Sequence, residues 1–108
     1  MMTAGQATAS PASLPTGLVA YKRTDEFTAE TVPAALLKDH STKEGTWGLI
    51  HVTAGRVLYR VTDYRRAAFE TILGPDTEAG VVEPTMLHHV APLEGAQFFV
   101  EFWRTPLR

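Results

Sequence analysis

The side chains best able to do chemistry in this chain are four histidines, His40, His51, His88 and His89. Imidazole is the commonest ligand of transition metals and the ordinary proton carrier near neutral pH. There is no cysteine. That removes disulfides, thiolate zinc sites and a cysteine nucleophile together. Any metal must therefore be held by histidine, carboxylate, backbone or water, and a divalent transition metal (zinc, iron, nickel or manganese) is the cofactor to expect. The short diagnostic motifs HExxH, GxSxG and GxxxxGK[ST] are missing. What remains is a long-range arrangement. His40 opens the stretch HSTKEGTWG, and His88 follows VVEPTML forty-eight residues later. On adjacent strands of an all-β barrel the two would face one interior, as a pair of metal ligands.

Two histidines do not complete a metal site. Glu44, Glu83 and Glu101 could supply the missing carboxylate, and His89 and His51 are further candidates. Glu101 shares a strand face with Gln97, Phe99 and Trp103, where a buried carboxylate would need a partner or a metal. His51 has the same parity as Trp47 and Leu49 and would line whatever interior they line. Each also has a plain structural reading: a histidine can bond a backbone carbonyl, and Glu44 can be a solvated loop charge. Lys43 and Arg60 could draw an oxyanion into the cavity. Trp47 and Trp103 would be core residues or its apolar wall. Arg65 and Arg66 fall at a hairpin tip and read as a solvated pair that protects an edge.

The elements that must position these residues are short. With 108 residues, 44% hydrophobic and 20% charged, the chain is long enough for one core and too short for two. Residues 1–13 are rich in Ala, Ser, Thr and Pro and lack the basic start and apolar run of a secretory signal. They read as a flexible leader ahead of a cytoplasmic domain spanning residues 14–108. Strands are expected at Leu18–Arg23, Ala34–Lys38, Thr46–Thr53, Arg56–Thr62, Ala67–Leu73, Gly80–Glu83, Leu87–Ala91 and Ala96–Trp103, broken by Gly, Pro and Asp. No segment sustains a 3.6-residue period. The pattern is that of a small all-β sandwich or barrel.

This arrangement resembles the cupin fold, a double-stranded β-helix or jelly-roll barrel. Gly55 fits the turn that ends the first cupin motif. The glutamate expected seven residues earlier is replaced by Gly48, and the paired HxH is missing. In the second motif Pro84 precedes His89 by five residues, the usual cupin spacing. A closer resemblance, over Leu14–Trp103, is to the TehB/YeaR-like family of small cupin-like domains, found alone or fused ahead of the tellurite-resistance methyltransferase TehB. It is carried by His40-Ser41-Thr42-Lys43, Gly45-Thr46-Trp47-Gly48 and Glu83-Pro84-x-x-x-His88. The spacing of that family picks His88 rather than His89. The resemblance brings no catalytic triad and no substrate, and within these residues methyl transfer is not expected.

Ten basic against twelve acidic side chains give a net charge of −2. That disfavours nucleic acid as a partner, and no apolar run is long enough for a membrane helix. The expected function is binding of a divalent metal, a small anionic molecule or both in the barrel. The family name links it to tellurite and oxyanion stress. The alternatives are a metal-dependent cupin enzyme, such as an oxygenase or isomerase, and a homodimerising module that uses the aromatic strand Gln97–Trp103.

Overall fold

A computed structural model of the chain describes residues 13–106. The expected leader lies almost wholly outside the described residues. Eight strands form: β1 Val19–Arg23, β2 Phe27–Thr28, β3 Trp47–Ala54, β4 Val57–Val61, β5 Phe69–Leu73, β6 Gly80–Val82, β7 His88–Pro92 and β8 Gln97–Arg104. All pairings are antiparallel. One sheet runs β1-β8-β3-β6, with β2 added to the start of β8; the other runs β5-β4-β7.

Period-2 alternation decides which side chains meet between the sheets. In β4 the buried residues are Val57, Tyr59 and Val61; in β3 they are Gly48, Ile50 and Val52. With Leu73, Val82, Val90, Ala96 and Phe98 these residues make one core. At roughly 1.5–3 kcal/mol for each fully buried large apolar side chain, this core is the main source of stability. Tyr59 enters it because its hydroxyl donates to the Val81 carbonyl, 2.7 Å away. β1 is exposed along its whole length, as an edge strand should be.

The β3–β4 turn requires glycine. Gly55 has φ +66°, and a Cβ there would lie 2.5 Å from the Gly95 carbonyl carbon and 2.6 Å from the Ala96 nitrogen. The strand expected at Ala34–Lys38 does not form. Pro33, with φ −61°, leads into a 3-10 turn over Ala34–Leu37, closed by the Leu36 amide donating to the Pro33 carbonyl at 3.0 Å. Proline presets the entry, and Ala-Ala-Leu-Leu has helical propensity and no β-branched residue to oppose it. No helix among the described residues is long and apolar enough to cross a membrane.

Candidate functional site

His40 leaves the 3-10 turn and forms a two-way backbone bridge with His88 at the start of β7. Each amide donates to the other's carbonyl at 2.9 Å. The bridge sets the two rings side by side, with centroids 4.2 Å apart and planes tilted by 53°. His40 Nδ1 lies 2.9 Å from the Lys38 carbonyl oxygen, and His88 Nδ1 lies 2.9 Å from that of Met86. A carbonyl can only accept, so each Nδ1 carries its proton, and in the neutral ring each Nε2 keeps a lone pair. His88 is 4% exposed, with the edge of Tyr59 against it. Burial pushes its pKa down to about 4, with the neighbouring charges of His40 and His89 adding to the effect. His88 is therefore neutral at pH 7.

The loop that delivers His88 is tied down by the β4–β5 loop. Asp63, 2% exposed, accepts from the Arg65 amide and Nε at 2.8 Å each, from Arg65 Nη2 at 2.7 Å and from the Leu87 amide at 2.9 Å. These donors hold the Asp63 carboxyl far below the usual carboxylate range. Arg65 Nη2 also reaches the Thr85 carbonyl at 2.5 Å, and Arg66 pairs with Glu83. Between them Thr85 sits at φ +66°, a conformation a β-branched residue adopts only under constraint. Its amide donates to the Thr42 carbonyl at 3.1 Å, which fastens this loop to the one carrying His40.

Both histidines line a cavity of about 480 Å³ between the sheets. Phe27, Leu36, Ile50, Val100 and Phe102 provide apolar wall, and Ser41, Thr42 and Thr46 add hydroxyls. Lys22, Lys43 and Arg104 bring positive charge, with both lysines exposed at the rim. No carboxylate is among the described residues that line it.

The other expected site residues lie elsewhere. Trp47, His51, Glu101 and Trp103 occupy the outer face of the first sheet, because β3 and β8 send the opposite parity inward. There His51 Nε2 lies 3.1 Å from Glu101 Oε1, which also accepts from Trp103 Nε1 at 3.0 Å. The two tryptophans are therefore neither core nor cavity wall, and the carboxylate amid aromatics is satisfied by a histidine and an indole. Glu83 is engaged by Arg66, Glu44 is an exposed loop residue, and His89 Nδ1 pairs with Asp39 Oδ1 at 2.7 Å. Arg60 pairs with Glu70 across β4 and β5 on the outer face of the second sheet. Arg65 and Arg66, expected to be solvated, clamp the His88 loop instead.

A resident metal does not fit this donor set. Two imidazole nitrogens fall short of the three protein ligands of an open catalytic zinc site, and no three His, Asp or Glu side chains converge among the described residues. Gly48, where the cupin pattern has its glutamate, faces the cavity. A Cβ there would stand 3.2 Å from Val82 Cβ.

Sequence reasoning missed Asp63, Thr85, Lys22 and Arg104. Asp63 carried a local signal, since an aspartate two residues before a loop amide is the start of an Asx turn. Arg104 shares the β8 face of Val100 and Phe102, whereas Lys22 carried no signal, because it comes opposite Phe102 only through the irregular β1–β8 register between Ala20 and Lys22.

The model of the TehB-like domain matches residues 22–100. The chain belongs to the TehB-like domain family. The "Probable S-adenosyl-L-methionine-dependent methyltransferase TehB" of Haemophilus influenzae is 32% identical over 77 residues, which cover 70% of this chain and 27% of that protein. This TehB-like chain thus spans about a quarter of the length of that curated relative. The crystal structure of TehB from Haemophilus influenzae superposes with a TM-score of 0.76 at 26% identity, covering 83% of this chain and 32% of that one. A crystal structure of a protein from Escherichia coli strain K12 gives 0.77 at 19% identity, over 90% of this chain and 100% of that one. The Mn(II)-containing oxalate decarboxylase of Bacillus subtilis gives 0.50 at 13% identity, over 94% and 33%.

Proposed function

We propose that this TehB-like domain is a small-molecule-binding module with a cupin-like jelly-roll fold, whose cavity takes an organic anion. The observation that carries the reading is the composition of the cavity wall. Lys22, Lys43 and Arg104 meet an otherwise largely apolar lining with no carboxylate to oppose them. A cavity of about 480 Å³ falls within the roughly 300–1,000 Å³ range of ligand sites. A bare inorganic oxyanion would satisfy the cations and leave Phe27, Ile50 and Phe102 facing water, whereas a carboxylate on an apolar body covers both. The likeness to oxalate decarboxylase supports the fold alone.

The test is a thermal melt with benzoate beside its neutral analogue benzamide. Saturation to a hundred times Kd adds about 2.7 kcal/mol, and for a domain of this size that raises Tm by roughly 10 °C. Benzoate should give this rise and benzamide much less, and Lys43→Gln/Arg104→Gln should erase the difference. No shift with benzoate up to about 10 mM, beyond the millimolar range of weak specific binding, would overturn the reading.

A further inference from the structure

The cavity has a second kind of polar group. His88 and His40 both turn Nδ1 away to backbone carbonyls, and neither Nε2 has a partner among the described residues. The backbone bridge fixes the two rings against each other. Both rings line the same cavity as Lys43 and Arg104. Neutral imidazole with a protonated Nδ1 presents an acceptor at Nε2, and its unmet hydrogen bond is costly when a ligand displaces water without replacing it.

We infer that the ligand is a hydroxylated organic acid, whose carboxylate is held by Lys22, Lys43 and Arg104 and whose hydroxyl donates its one proton to Nε2 of His40 or of His88. The inference rests on the anion-binding reading and narrows it. A plain hydrocarbon acid satisfies the cations and leaves the histidine pair unpaired. A hydroxy acid satisfies both ends, and its body covers the walls between them. The depressed basicity of His88 keeps that ring an acceptor at neutral pH. No proton transfer or bond cleavage is implied. A site that demands a ligand hydroxyl discriminates far more sharply than one that reads apolar shape.

The experiment is titration calorimetry with ortho-, meta- and para-hydroxybenzoate, each beside its fluoro counterpart, which matches the hydroxyl in size and cannot donate. At least one hydroxy acid should bind wild type about tenfold or more tightly than its fluoro partner, the worth of a good hydrogen bond. His40→Phe and His88→Phe each keep a ring and remove one acceptor, so at least one of the two should shrink that advantage. His40→Gln, whose amide oxygen can accept, should retain it. Equal affinity of every hydroxy and fluoro pair overturns the inference and leaves the anion reading standing. So does an advantage that survives unchanged in both His40→Phe and His88→Phe. No binding of any of these acids overturns both.

Discussion

Replacing His88 by asparagine should flatten the acid limb of the stability curve. His88 is 4% exposed, and its pKa in the folded state is about 4 against an ordinary 6.5. Between those values the unfolded chain takes up a proton that the folded chain refuses. Stability is thus unaffected by this group above pH 6.5 and declines as pH falls toward 4, where both states are protonated. At 1.36 kcal/mol per unit, the full decline is about 3 kcal/mol, a large share of the roughly 5–15 kcal/mol that holds a domain together. Asparagine suits the comparison because its amide nitrogen can keep the bond to the Met86 carbonyl while nothing titrates. The assay is urea unfolding followed by tryptophan fluorescence at several pH values from 7.5 to about 4, with both proteins in the same buffers. The variant will be less stable at pH 7, but the gap is expected to close by about 3 kcal/mol across the window. Asp63 does not intrude. Its folded-state pKa is depressed, so its contribution is present above the ordinary carboxylate range and is lost only at much stronger acidity. The pairs His51–Glu101 and His89–Asp39 are common to both proteins and enter the difference only weakly. Parallel curves from pH 7 to 4 would refute the claim that His88 is held neutral by burial.

Two further outcomes concern the frame. Gly55→Ala should cost at least about 2 kcal/mol in urea unfolding, because the new methyl adds a left-handed backbone penalty to a collision with the Gly95–Ala96 peptide; an unchanged midpoint would contradict the turn geometry. Thr85→Asn should raise stability by about 1 kcal/mol, since asparagine tolerates φ +66° and threonine does not. A loss in that variant would mean that the threonine side chain contributes more than its backbone strain costs.

The tethering of the His88 loop bears on how binding is built. Its fixings are the Asp63–Arg65 cluster, the Arg66–Glu83 pair and the Thr85–Thr42 link, which join segments far apart in sequence. In the proposed site, a residue held this way would lose little side-chain freedom on binding, which favours affinity.

Much of the architecture was readable from local pattern alone. Alternation of apolar residues through Arg56–Thr62 and Thr46–Thr53, with glycine and proline between runs, was enough to specify strands, their approximate limits and an all-β class. The motif around His40 and the Glu83-Pro84-x-x-x-His88 spacing pointed to the TehB-like family and to the two histidines that the fold brings together. Ala34–Leu37 escaped that reading because four residues are too few to show a period. The face of each strand was undecided for the same reason that its alternation was clear: period 2 says which residues share a side, not which side is inward. Trp47 and Trp103 therefore read as core or cavity wall, and His51 and Glu101 as candidates that would follow their faces, whereas the fold puts all four on the outer face. Only the tertiary structure decided that Arg65 would reach the Thr85 carbonyl and Arg66 would meet Glu83, since a charge in a loop is solvated or clamped according to what arrives beside it from elsewhere in the chain. The same holds for the cavity. Its cations come from β1, β8 and the loop before β3, and no local rule places residues 22, 43 and 104 around one space.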